Sequence, residues 1–239
     1  MSGKATSSSG SWSGELDIAP SWGLFVGTGG TTRKHRHLAD KLVIVLGSGV
    51  DVDPAELVAP GLWWVQAGRL HRCHASGRVA LVFFEPGCLG PIDVPASLRP
   101  ILHLRDSLRE LSDPELRCRA VTTLVEALPR MSDPRVGRAA ALLVDEPHLT
   151  ASELATRVGL SPTRLTHLFT ERVGAAPRQY RTWGALRRAV GLMAKGLSLT
   201  ETAHAAGFAD SAHLSRCFSQ MLGMPPSTIA RSCTIRLRR

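Results

Sequence analysis

Apolar residues recur along this chain with two different periods, and the change between them divides it. Between about residues 20 and 95 they come as short runs: Lys41-Leu-Val-Ile-Val-Leu46, Leu62-Trp-Trp-Val65 and Val79-Ala-Leu-Val-Phe-Phe84. Turn residues bound them at Gly47-Ser48-Gly49, Gly61, Gly77 and Pro86-Gly87. Branched and aromatic runs of this length and spacing predict strands of a small sandwich or barrel. From about residue 97 the spacing becomes helical, through Leu98, Ile101, Leu102, Leu104, Leu108 and Leu111. Asp113-Pro114 then opens a second helix, Asp as N-cap and Pro in the first turn, carrying Leu116, Val121, Leu124, Val125 and Leu128. A further helix is predicted over about 134–145, ahead of a break at Glu146-Pro147.

Beyond that break one helical pattern occurs twice. The first copy runs Glu153…Gly159…Leu165…Phe169, then Gly174 and Pro177; the second runs Glu201…Gly207…Leu214…Phe218, then Gly223 and Pro226. The offset is 48 from glutamate to glycine (153 to 201, 159 to 207) and 49 from the leucine onward (165 to 214, 177 to 226), so one residue is added at the turn. Thr150-x-x-Glu153 and Ser198-x-x-Glu201 are capping boxes that open each copy. Ser161-Pro162 and Asp210 open the second helix of each. Gly159 and Gly207 fall where the turn needs positive φ. Leu165, Phe169, Leu214 and Phe218 are expected to be core between helices. Helix, glycine turn and second helix is the arrangement that places its second helix in a DNA major groove. A long helix over 177–194 joins the copies. It spans about 27 Å at about 1.5 Å per residue, near the ~34 Å between successive major-groove faces. Two recognition helices can therefore share one side of a duplex.

Charge points the same way. The net charge is +9 over 239 residues. Residues 150–239 hold 13 Lys+Arg and 4 Asp+Glu, giving +9; residues 1–149 hold the other 16 and 16, giving zero. A neutral half joined to a basic half suits a protein that touches phosphates with one end. No apolar run reaches the ~18 residues of a membrane span, and Met1 to Gly14 is Ser/Gly-rich without a signal-peptide core. Five cysteines without CxxC spacing predict free thiols and a cytoplasmic setting.

The motif Ala155…Gly159-Leu160-Ser161…Leu165…Phe169 and its continuation Ala203…Gly207-Phe208-Ala209-Asp210…Leu214-Ser215-Arg216-Cys217-Phe218…Gly223-Met-Pro-Pro226 resembles the AraC/XylS family of bacterial transcription regulators. The resemblance covers about 149–231. It implies an α+β chain: an N-terminal cupin-like β-barrel with a helical linker, then an all-α domain of two helix-turn-helix motifs joined by a long helix. The implied divisions are a disordered tail at 1–19, a cupin-like sensor domain at 20–95, a helical dimerisation or linker region at 96–130 and the DNA-binding domain at 134–232. It also implies base contacts from Thr163, Thr166 and His167 in the first recognition helix and from Ser211, Ala212, Ser215 and Arg216 in the second. Arg216 carries most promise, because a guanidinium can bond guanine O6 and N7 together. Arg178, Arg181, Arg187 and Arg188 are divided between phosphate contact and plain solvation, and the tail Arg236–Arg239 is expected to be disordered. Implied partners are double-stranded DNA, RNA polymerase, a small-molecule or metal effector and a second copy of the chain, with no membrane.

Gly29, followed after five residues by His35-Arg36-His37, and later Gly68-Arg-Leu-His71 resemble the two halves of the cupin metal motif. His35, His37 and His71 match its histidines, and Cys73 or His74 could add a ligand. The motif's glutamate has no match, since Asp40 comes too early, and Gln66 stands for its proline. Three imidazoles suit a divalent transition metal such as Zn, Ni, Cu or Fe. The alternative readings are a metal-responsive regulator using these histidines, or a cupin-type metalloenzyme fused to a DNA-binding domain. No nucleophile or general acid stands out beside them, so no catalytic residue is assigned and no enzyme is expected.

Overall fold

The computed structural model describes residues 12–47, 49–90, 97–131 and 133–238. The boundary expected at 95/96 falls outside them, as do residues 1–11 of the expected tail. Strands β1 (Ser13–Ile18), β2 (Trp22–Thr28), β3 (Asp40–Val45), β4 (Val50–Asp53), β5 (Glu56–Ala59), β6 (Leu62–Val65), β7 (Arg72–Ala75) and β8 (Arg78–Phe84) precede helices α1 (Leu98–Glu110) and α2 (Pro114–Ala127). Seven strands pair in the order β5-β6-β3-β8-β2-β1-β9, and β4 pairs with β7 in a second sheet. The remaining strand, β9 (Cys233–Leu237), comes from the far end of the chain.

Alternation along the central strands gives the large sheet two apolar faces. Leu42 and Ile44 of β3, with Val82 and Phe84 of β8, turn toward Ile101, Leu104 and Leu108 of α1 and Val121 and Leu124 of α2. Val43, Val79 and Leu81 turn the other way, toward Val52 and Cys73 of the small sheet. The helices expected to offer a dimer contact thus spend their apolar faces on the sheet. Of their large apolar residues, Leu116 is the exposed one among those described.

The C-terminal domain is built of α3 (Pro134–Asp145), α4 (Ala151–Arg157), α5 (Pro162–Val173), α6 (Pro177–Ala194), α7 (Leu199–Ala206), α8 (Ser211–Leu222) and α9 (Pro226–Ser232). One core lies around α3 to α6 and takes in Leu38 and Ala39 from the sheet domain. A second lies around α6 to α9.

Two expectations about the chain ends are corrected. Within the stretch expected as a tail, Ser13–Ile18 is a strand, and Cys233–Leu237, which takes in Arg236 and Leu237 of the C-terminal tail expected to be disordered, pairs with it in parallel. Leu16, Ile18 and Ile235 pack on the second helical core. Arg236 bonds Glu15 at 2.7 Å, and Arg238 bonds Asp17 at 2.7 Å and pairs with Glu115. β1 is laid down on its neighbour β2, and β9 orders because β1 supplies its hydrogen bonds and the opposite charge.

Candidate functional site

Each helix-turn-helix begins on a satisfied cap. Thr150 with Glu153 and Ser198 with Glu201 form complete capping boxes at α4 and α7. The Ser161 hydroxyl accepts from Arg164 N–H at 3.3 Å, and the Asp210 carboxylate from His213 N–H at 2.6 Å, starting α5 and α8. Gly159 and Gly207 take φ of +68° and +91°. Leu165, Phe169, Leu214 and Phe218 are buried. Packing these four inward turns the opposite face of each second helix to solvent.

On α5 that face carries Thr163, Thr166, His167 and Thr170, all exposed. On α8 the positions 49 residues later are Ala212, Ser215, Arg216 and Ser219; Ala212 and Arg216 are exposed and the serines half-buried. Ser211 is also half-buried at the start of α8. Thr170 and Ser219 were missed by sequence reasoning, although the i, i+3, i+4, i+7 spacing from Thr163 and Ala212 reaches them. The Thr166 hydroxyl donates to Pro162 O at 2.9 Å and that of Thr170 to Thr166 O at 2.7 Å, which leaves their lone pairs outward as acceptors. His167 lies 3.9 Å from Glu171, whose carboxylate shares this surface.

Three arginines of α6 do not serve as the sequence suggested. Arg181 donates to Leu149 O, Arg188 to Val144 O and Ala206 O, and Arg187 to Ala19 O and Pro20 O. These side chains close helix ends and loops that the long helix passes, so their donors are taken by carbonyls. Arg178 remains exposed.

Arg187 also ties the two domains together. Buried Glu85, just past β8, pairs with it at 2.9 Å and accepts from Tyr180 Oη and Trp183 Nε1, both at 3.1 Å. Burial raises the Glu85 pKa, and the Arg187 charge and these hydrogen bonds oppose that rise. Beside this contact lies a cavity of about 130 Å³ between the domains. Trp22, Phe25 and Phe83 line it from the sheet; Trp183, Val190 and Phe218 line it from α6 and α8.

The three histidines meet as their spacing suggested. His35 and His71 face each other across a β-bridge, and one nitrogen from each of His35, His37 and His71 lies within 4.8 Å of the others. Their Nδ1 atoms lie against the carbonyls of Arg33, Ala39 and Arg69 at 2.8, 2.6 and 2.9 Å. That fixes Nδ1–H as donor and makes each Nε2 the acceptor of its ring. The further ligands suggested, Cys73 and His74, stay apart, and Asp40 does not stand in for the missing glutamate. Asp40 accepts from Ala67 N–H at 2.9 Å, and exposed His74 bonds Thr31 at 2.8 Å. Cys73 lies in the apolar layer between the sheets, and the three-histidine group does not include it.

Sequence reasoning missed the fourth member, Lys41. It begins the inward alternation of β3, is 2% exposed, and brings Nζ to 2.7 Å from His71 Nε2. Burial, then the Lys41 charge, holds His35 near pKa 4 and His71 near 3; the same two causes depress His37. Burial lowers Lys41 to about 8. A divalent metal fits this set poorly as it stands. The amine occupies the His71 lone pair that a metal would need and adds a positive charge beside it.

Two helix-turn-helix units with equivalent outward faces, joined by one long helix, define a tandem helix-turn-helix domain behind a sheet domain. The family described as Helix-turn-helix domain matches residues 154–232. These residues form a helix-turn-helix domain. The chain is 28% identical over 207 residues to an AraC-like transcription regulator of Streptomyces lividans, covering 85% of this chain and 61% of that one. It is 30% identical over 147 residues to the regulatory protein Ada of Salmonella typhimurium, covering 62% and 41%. It is 28% identical to that organism's arabinose operon regulatory protein, covering 50% and 44%. The chain thus spans less than two thirds of each of these relatives. Its fold is similar to that of apo ToxT from Vibrio cholerae, with a TM-score of 0.59 and 11% identity over 89% of this chain and 97% of that one. A ToxT structure described as bound to unsaturated fatty acid aligns with a TM-score of 0.53 at 10% identity, over 89% and 96%. Among the described residues no helix is long and apolar enough to cross a membrane.

Proposed function

We propose that the chain is a cytoplasmic, sequence-reading transcription regulator that binds double-stranded DNA through α5 and α8. On this reading residues 20–95 sense an effector, 96–130 link and offer a contact to a second copy, and 134–232 read DNA and present a surface to RNA polymerase. The observation that carries it is the pair of equivalent outward faces: exposed Thr163, Thr166, His167 and Thr170 on one helix, and exposed Ala212 and Arg216 with half-buried Ser215 and Ser219 on the other. The cavity between the domains is the effector site, because a molecule there touches the sheet, α6 and α8 together. The bound fatty acid named for a ToxT structure supports a small organic effector on this fold. The poor donor set supports it over the metalloenzyme reading.

The test is selection of bound fragments from a genomic library, followed by shift assays at several salt concentrations. A recurrent sequence, bound with an affinity that falls steeply with salt, is expected. Binding that shows no sequence preference, or none at all, overturns the reading.

A further inference from the structure

Pro162, Thr163, Thr166, His167, Thr170 and Glu171 line one open groove along the outward face of α5. Arg164 and Arg172 of the same helix are not in its wall. What this groove offers a base pair is set by protons already committed. The Thr166 hydroxyl donates to Pro162 O at 2.9 Å, and the Thr170 hydroxyl to Thr166 O at 2.7 Å. A hydroxyl has one proton, so both oxygens are left as acceptors, and each side chain adds a methyl group. Exposed Glu171 is an ionised carboxylate and only accepts. His167 turns Nδ1 toward that carboxylate at 3.9 Å, which favours the ring proton there and leaves Nε2 as acceptor. The centre of the α5 face is therefore acceptors and methyls. The α8 face is the reverse. The helix carries no carboxylate between Ser211 and Leu222. Its exposed Arg216 brings five N–H donors and no acceptor.

Base pairs differ in what they show in the major groove. Guanine shows two acceptors, N7 and O6, which would face the oxygens of the α5 groove. Cytosine shows a donor but no methyl. An A·T pair shows both, the adenine N6 amine and the thymine methyl. We infer that α5 reads A·T pairs, with the Thr166 and Thr170 methyls against thymine methyls and their oxygens and Glu171 accepting from adenine N6, and that guanine is read by α8 alone. The inference rests on the reading of the chain as a DNA-binding regulator and names the base chemistry of each half of its site. The site is directional: an A·T half lies under α5 and a guanine-bearing half under α8, about one helical turn away. Exchanging the two halves destroys it, because the two faces are chemically unlike.

Competition shift assays on the site recovered from the genomic selection test this with modified bases and the full chain. Replacing single thymines by deoxyuridine removes one methyl and nothing else. At one or two positions of the α5 half this is expected to weaken binding about three- to fourfold, the worth of a buried methyl. Thr166→Ser and Thr170→Ser keep the hydroxyl and lose the methyl. Each is expected to weaken the thymine site by a similar factor and to erase the deoxyuridine penalty at its own position, the coupling that marks a direct contact. Arg216→Ala is expected to leave that penalty intact. Replacing guanine by 7-deazaguanine in the other half is expected to weaken the unmodified chain and both serine variants alike. The inference is overturned if no thymine shows a penalty in the unmodified chain, whether or not the variants fold. It is also overturned if the penalties survive both serine substitutions, or if guanine is selected at the positions coupled to Thr166 and Thr170. A recurrent site without methyl dependence removes only this inference. Absence of any recurrent site removes the regulator reading and this inference with it.

Discussion

The two helix-turn-helix units are built alike and placed differently. Both start on a capping box and end α5 or α8 on a left-handed glycine, Gly174 or Gly223. A Cβ added to Gly174 would meet nothing within 4 Å; one added to Gly223 would lie 2.5 Å from His35 Nδ1 and 2.8 Å from Arg33 O. The Gly223 carbonyl accepts from Arg33 N–H at 2.9 Å. Phe218 of the second unit lines the cavity, whereas the first unit sends no residue there. The second unit also has the exposed Arg216 where the first has His167. Repetition has therefore kept the scaffold and divided the work. The second unit is the stronger candidate reader and leans on the loop that carries the histidines.

The largest effect is expected where both units share a support. Glu85→Ala leaves Arg187 without its partner in a mostly buried setting and removes the acceptor of Tyr180 and Trp183. Loss of one member of a buried pair costs about 3–5 kcal/mol. Urea unfolding is expected to show a loss of that order. A loss below about 1 kcal/mol would mean that the sheet domain and α6 are held together elsewhere.

Acid is expected to act next, through the loop that touches Gly223. His35 and His71 have folded pKa values lowered to about 4 and about 3, so the unfolded chain binds their protons first. Stability from these groups is present above about pH 6.5 and is lost as pH falls through 4 toward 3, because the unfolded state holds more protons across that window. Unfolding midpoints measured from pH 7 to pH 4 are expected to fall, and to fall less in His71→Asn. A flat profile would place the imidazoles in water.

The glycines give a sharper contrast. Gly174→Ala carries the cost of a left-handed residue, about 1–2 kcal/mol. Gly223→Ala carries the same cost plus a collision with backbone and imidazole, and is expected to destabilise more. Thermal unfolding of the two variants ranks them; equal losses would show that α8 does not rest on the His35 loop.

How much of this was legible beforehand follows from the range of the interactions. The caps, turns and core positions of α4 to α9 act within a few residues, and the repeat displays them twice. Pairing of β1 with β9 joins residues some two hundred positions apart, and each strand alone is short and charged, so composition argued for loose ends. The arginines of α6 carried a plain basic signal. Their partners are backbone carbonyls and Glu85, which only the fold brings near. The same contacts qualify the charge asymmetry, since Arg187, Arg236 and Arg238 pair with carboxylates of the neutral half. The three histidines were visible by spacing. Lys41 was not, because it was read as the first residue of a strand, although alternation with Val43 already turned it toward the small sheet.

The smallest effects concern the reading faces and bear most directly on the division of work between the units. Arg216→Ala removes the exposed guanidinium of α8, and loss of a bidentate base contact costs about 1–3 kcal/mol with relaxed preference at one position. His167→Ala is expected to cost less, because His167 stands beside Glu171 and offers at most a single hydrogen bond. Competition shift assays on a selected site and on single-base variants separate the two. Arg216→Ala should flatten the preference at one base pair, and His167→Ala should lower affinity slightly at every sequence alike. If His167→Ala instead costs more and shifts sequence preference, the first unit is the reader. The closeness of the second unit to the cavity would then serve to dock it and not to tune its grip on DNA.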